Sequence, residues 1–240
     1  MRLHLRFIIS RAAIMAAALA ATIACGSHDE LPPERRDAPP PDRATLSTAA
    51  RPRIVVLGDS LTAGLGLAKG DAYPAVLQER LNNEGLNYDV VNAGVSGDTS
   101  AGGLSRLDWA LDGDVRVLVV ALGGNDGLRG LPPEELKRNL ATIIERAQAR
   151  GITVVLAGME APPNFGRDYI VQFHNVYPAL ARHYHVALVP FLLTGVAGSE
   201  TLNQRDGIHP SREGARIVAD NVWTVLKPIV AQRDGKPARD

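Results

Sequence analysis

Ser60 follows a short apolar, β-branched run, Ile54-Val55-Val56-Leu57, that stops at Gly58-Asp59. A buried strand that breaks at a glycine and then presents a serine can hold a nucleophile just beyond a sheet's carboxyl edge. Gly, Asp and Ser are also ordinary turn formers, so the stretch alone reads equally well as a turn. A second chemical group is Asp206-Gly207-Ile208-His209-Pro210, near the end of the chain. A carboxylate three residues before an imidazole can reach one ring nitrogen and leave the other to act as a base. Asp206 could also simply cap a helix. Two further stretches, 91–99 and 122–130, are rich in Gly, Asn and Asp. Together these segments supply every part that acyl hydrolysis needs: a hydroxyl nucleophile, a base, its partner and amide donors.

Such parts work only if the fold brings them together, and the periodicity predicts that it does. Strands are expected at 53–57, 88–93, 115–122, 152–157 and 186–191. Between and after them, apolar residues at helical spacing predict helices at 73–84, 100–111, 132–150, 168–184 and 211–230. Pro132-Pro133-Glu134-Glu135 is a helix start, since proline suits the first turn and acids suit its positive end. Five short apolar strands alternating with helices imply a parallel sheet covered on both faces. The expected fold class is therefore α/β: a three-layer α/β/α, flavodoxin-like sheet. Right-handed crossovers would place the loops after strands one, two and three and the last loop on one sheet edge.

Other chemistries find less support. Gly64-x-Gly66 with Gly70 misses the dinucleotide fingerprint by one residue, and no phosphate-binding Gly-x-x-x-x-Gly-Lys-Ser/Thr loop occurs. His183-x-His185 has metal-ligand spacing without an obvious third ligand, so no metal and no cofactor is expected. No Gly-x-Ser-x-Gly elbow is present, against an ordinary α/β-hydrolase fold. Lys plus Arg and Asp plus Glu number 26 each, so no basic excess points to nucleic acid.

Gly58-Asp59-Ser60-Leu61, then Gly94, then Gly123-x-Asn125-Asp126, then Asp206-x-x-His209 resemble the four ordered blocks of the SGNH (GDSL) hydrolase superfamily. The likeness covers nearly all of residues 54–224. Within the superfamily the chain most resembles the bacterial thioesterase I, lysophospholipase L1 and arylesterase group. That likeness is carried by 92–99, 123–130, Asn164-Phe165-Gly166, Val189-Pro190-Phe191 and 206–210. The resemblance implies Ser60 as nucleophile, His209 as general base and Asp206 as the partner of the imidazole. It implies an oxyanion hole from the Ser60 and Gly94 backbone N–H groups and the Asn125 side chain. Asp59 is expected to support the turn. Leu128, Leu131, Pro162, Phe165 and Ile208 are candidates for an acyl groove, or for loop residues that cover the core. The implied substrates are small acyl or aryl esters, lysophospholipids and thioesters, acted on by a monomer. A carbohydrate acetylesterase and a non-catalytic binding module are the alternatives.

The first 52 residues read as something other than fold. Arg2, Arg6 and Arg11 precede an unbroken small and apolar run of 13 residues, 12–24. That is too short for a membrane-spanning helix and suits an export signal over 1–24. Cys25, the single cysteine, follows Ala21-Thr22-Ile23-Ala24 and resembles a bacterial lipobox, with Thr22 where leucine is usual. The alternative is an ordinary cleaved signal with an incidental cysteine. Removing 1–24 leaves a net charge of about −3. Six prolines fall in the 27 residues 26–52, a composition that buries no core and predicts a tether over 25–52. The expected arrangement is a hydrolase domain at 53–232 and a disordered tail at 233–240. The domain would be exported to the periplasm and held at the outer membrane by a lipid on Cys25.

Overall fold

The computed structural model describes residues 51–233. The expected signal, Cys25, the tether up to residue 50 and the tail from residue 234 lie outside the described residues. Strands β1 (Arg53–Gly58), β2 (Asp89–Gly94), β3 (Val115–Ala121), β4 (Thr153–Ala157) and β5 (Ala187–Val189) form one parallel sheet, ordered β2-β1-β3-β4-β5. This is the flavodoxin-like order, with its switch point between β1 and β3. Those two central strands are covered on both faces. Ile54 through Leu57 and Val117 through Val120 are each no more than 1% exposed.

Helices α2 (Tyr73–Asn83) and α8 (Arg212–Arg233) pack together on one face; α3 (Ser100–Ser105), α6 (Pro133–Ala149) and α7 (Arg167–Tyr184) cover the other. The α6 sequence shows why: Leu136, Leu140, Ile143, Ile144 and Ala147 form one buried stripe at helical spacing, behind Pro133 and two acids in the first turn. The strand ends are level. Gly58 pairs with Gly94 on one side and Ala121 on the other, so the loops after β1, β2 and β3 begin together at one edge.

Four local features differ from the sequence expectation. Ser60 opens a short helix, α1 (Ser60–Ala63), because the Asp59 carboxylate accepts the Leu61 N–H at 3.0 Å and caps it. Gly124 opens another, α5 (Gly124–Leu128). The expected helix at 100–111 is broken at Arg106, giving α3 and a separate α4 (Leu107–Ala110). The Arg106 guanidinium is drawn inward there, to Asp98 at 2.6 Å and to the Gly58 carbonyl at 2.8 Å. β5 ends at Val189 rather than 191, since Pro190 has no N–H to continue a ladder.

Candidate active site

The nucleophile turn is fixed from several sides. Gly58 ends β1, and its carbonyl accepts from both the Val95 N–H and Arg106 Nη2. Behind Ser60, the buried Thr62 hydroxyl lies 2.7 Å from the buried Tyr73 hydroxyl, and Asn92 Nδ2 donates to the Thr62 carbonyl at 2.8 Å. Ser60 therefore sits on rigid backbone, with its side chain at the mouth of a cleft.

Across that cleft lies the Asp206–His209 turn. His209 Nε2 is 2.9 Å from Ser60 Oγ, and His209 Nδ1 is 2.7 Å from Asp206 Oδ2. The other Asp206 oxygen accepts the backbone N–H groups of Ile208 at 2.9 Å and His209 at 3.0 Å. These bonds favour the ionised carboxylate: the His209 amide first, then the Ile208 amide and the imidazole, lower its pKa to about 2. An ionised Asp206 draws the imidazole proton to Nδ1 and leaves Nε2 as an acceptor for the serine hydroxyl.

Asp59 caps α1, as expected of a turn-supporting residue. Its carboxyl is buried, and burial is the main reason its pKa rises to about 6; the Leu61 N–H and the nearby His209 pull the other way. The folded protein holds this proton more tightly than an unfolded chain with a carboxyl near 3.8. Stability is therefore greatest below the unfolded value and falls as pH rises through the folded one, by about 3 kcal/mol across the window. Asp59→Asn keeps an oxygen for the Leu61 N–H and has no proton to lose. Denaturant unfolding is expected to show the variant gaining on the wild type between pH 4 and pH 7. Parallel stability curves would contradict this account of Asp59.

Asn125 Nδ2 donates to the Asp98 carbonyl at 2.9 Å and lies 3.5 Å from Asp59 Oδ2, which sets the plane of its amide beside Ser60. The loop carrying Asp98 is held by the Arg106–Asp98 ion pair. It is also held by the buried Asp126 carboxylate, which takes the Ser100 N–H at 2.8 Å and the Ser100 hydroxyl at 2.6 Å. Asn139 donates to that same hydroxyl at 2.9 Å.

Gly94 departs from expectation. Its N–H donates to Asn92 Oδ1 at 3.0 Å, and it does not line the cleft with Ser60. A Cβ at Gly94 would come within 2.2 Å of the Ala63 nitrogen, so this glycine lets β2 approach the backbone of α1. Of the glycines after β2, it is Gly97 that lines the cleft with Ser60, Asn125 and His209. Its φ is +87°, and among the described residues its N–H has no acceptor. The signal the sequence offers is its place in the small, polar run Ser96-Gly97-Asp98-Thr99.

The cleft has a volume of about 370 Å³. Of the expected groove residues, Leu128, Pro162 and Ile208 line it, and Leu131 and Phe165 do not. The Leu131 backbone is fixed here, its N–H donating to the Asp126 carbonyl and its carbonyl accepting from the Tyr169 hydroxyl. Phe165 packs on the Tyr169 ring with centroids 5.2 Å apart. Leu65, Met159 and Leu193 complete the apolar wall instead. Leu193 lies in an irregular segment with no periodicity to mark it, and Met159 follows β4 as if it were only core.

Comparison with known proteins identifies the family. Residues 56–217 match the GDSL-like Lipase/Acylhydrolase family. Esterase TesA of Pseudomonas aeruginosa is 49% identical over 183 residues, covering 76% of this chain and 91% of that protein. Thioesterase 1/protease 1/lysophospholipase L1 of Escherichia coli is 38% identical over 187 residues, covering 78% of this chain and 88% of that protein. Among solved structures, the crystal structure of TesA matches with a TM-score of 0.71 at 48% identity, over 74% of this chain and 99% of that one.

Proposed function

The chain belongs to the GDSL-like lipase/acylhydrolase family, and from that premise we propose that Ser60, His209 and Asp206 hydrolyse esters through an acyl-enzyme on Ser60. The protein is a serine ester hydrolase whose substrates are small-molecule esters. The observation that carries the residue assignment is the unbroken hydrogen-bonded line from Asp206 through His209 to Ser60, ending at an apolar cleft.

The chemistry follows from that line. Ser60 Oγ attacks the ester carbonyl carbon while His209 Nε2 takes its proton, and Asp206 stabilises the imidazolium that results. The carbonyl oxygen becomes an oxyanion, met by the Ser60 N–H, the Gly97 N–H and Asn125 Nδ2. The Ser60 amide is at the first position of α1, where a helix offers no internal acceptor. Collapse of the tetrahedral intermediate breaks the bond to the alcohol oxygen, which leaves with the proton from His209. Water then attacks the acyl-enzyme, again giving its proton to His209, and Ser60 departs with that proton as the acid is released. Each oxyanion donor is worth about 10²–10³ in rate.

The apolar wall favours acyl chains over small polar acids, and lysophospholipids and thioesters are the natural lipid substrates for such a cleft. A series of p-nitrophenyl esters tests this. Each methylene buried contributes about 0.8 kcal/mol, so kcat/KM is expected to rise about fourfold per methylene from acetate until the cleft is filled. Equal values from acetate to palmitate would count against an acyl groove. All the catalytic groups come from one chain, so a monomer suffices. The basic, apolar 1–24 segment and Cys25 support export to the periplasm and a lipid anchor in the outer membrane. Mass spectrometry of the mature N-terminal peptide tests the lipid directly.

A further inference from the structure

We propose that Gln204 is the positioning residue that holds the Asp206–His209 turn against the nucleophile loop, an inference that rests on His209 being the general base. Packing anchors this turn only at its ends, where Asn203 and Pro210 are buried. Between them Arg205, Asp206, Gly207 and Ile208 are exposed, and His209 is partly buried. Its shape and its distance from Ser60 depend on hydrogen bonds.

Asp206 supplies the bonds inside the turn. Four others pass through Gln204. Its backbone N–H donates to the His209 carbonyl at 2.7 Å, and its carbonyl accepts the Gly207 N–H at 2.9 Å. Its side-chain Nε2 donates to the Pro210 carbonyl at 3.0 Å and to the Leu65 carbonyl at 2.7 Å. Both hydrogens of one amide nitrogen thus each take one carbonyl, one on either catalytic loop. Leu65 is in turn tied to the nucleophile: its N–H donates to the Ser60 carbonyl at 3.1 Å. The chain of contacts runs from Ser60 through Leu65 and Gln204 to the residues on both sides of His209.

Gly66 provides an independent sign that the amide has a built seat. A Cβ at Gly66 would come within 2.1 Å of Gln204 Oε1, so the backbone leaves this space for the carboxamide. The remaining polar side-chain tie between the two segments, apart from His209–Ser60 itself, is the Arg212–Asp71 ion pair among the described residues. The Arg212 side of that pair is exposed to solvent, so it holds position weakly. Gln204 does not line the cleft, so its effect should reach the reaction through His209 and not through substrate contact.

The test is a comparison of Gln204→Leu in the wild type and in a His209→Ala background, in the full chain, with a p-nitrophenyl ester. Leucine keeps the bulk and removes both donors. A misplacement of about 1 Å at a catalytic group costs about 10² in rate. In the wild-type background kcat is expected to fall 10- to 100-fold, with KM changed by less than about threefold and the unfolding midpoint nearly unchanged. In the His209→Ala background no further loss is expected, because the group being positioned is gone. Gln204→Asn keeps the amide but cannot span both carbonyls; it should show the same pattern and replaces the leucine variant if that one fails to fold. A kcat within twofold of wild type, a rise in KM alone, or an equal loss in the His209→Ala background would each overturn the proposal. Undiminished activity in His209→Ala by itself would overturn the assignment of the base, a distinct result that removes the proposal with it.

Discussion

Alanine in place of Ser60 is expected to lower kcat for ester hydrolysis by about 10⁶-fold while leaving KM within a small factor. The loss is large because the hydroxyl is the one atom for which nothing substitutes. Ser96 also lines the cleft, but the imidazole at 2.9 Å faces Ser60 Oγ. A residual rate of about 10³–10⁴ over water should survive in the variant, because the oxyanion donors and the cleft are untouched. Steady-state kinetics on a p-nitrophenyl ester measure both quantities. An activity loss below tenfold would mean that another group attacks the carbonyl.

Asp206→Asn is expected to cost about 10⁴ in kcat with the fold intact. The exchange keeps one oxygen for the Ile208 and His209 amides, which now bind Asp206 Oδ1, so the turn should retain its shape. It replaces the oxygen facing His209 Nδ1 with an N–H₂ group. Nδ1 must then accept, the proton moves to Nε2, and the nitrogen beside Ser60 becomes a donor that cannot serve as base. The pH dependence gives a second check. The Asp206 carboxyl is held at about 2, so it stays ionised across the working range. Loss of wild-type activity in acid is therefore not expected to come from Asp206. An acid limb that vanishes in Asp206→Asn without a drop in kcat would contradict this division of roles.

The parts of the molecule that the sequence reveals are those with strong local causes. Ile54 to Leu57 and Val117 to Val120 are continuous apolar runs, and a run of that length between turn residues becomes a doubly covered strand. Ser60, Asp206 and His209 are chemically distinctive, and the parallel topology forces their loops to one edge. What the sequence does not reveal depends on distant geometry. Gly94 ends β2 and Gly97 follows three residues later, and both have reasons to be glycine. Only the fold shows that the Gly94 N–H is held by Asn92 while Gly97 faces the cleft. Phe165 and Leu131 sit in loops at the right edge yet do not line the cleft; Phe165 packs on the Tyr169 ring, and the Tyr169 hydroxyl holds the Leu131 carbonyl. Gln204 carries no chemical signal at all. Its importance arises from a bond to Leu65, 139 residues away.

The most direct measurement of the central claim, that Ser60 is the nucleophile, is covalent labelling with a p-nitrophenyl phosphonate ester followed by peptide mass spectrometry. Attack by the serine oxygen at phosphorus expels nitrophenolate and leaves a stable phosphonyl ester. The account predicts one adduct, on Ser60, formed with stoichiometric nitrophenolate release, slowed in His209→Ala and absent in Ser60→Ala. An adduct on any other residue, or equal labelling of Ser60→Ala, would contradict it.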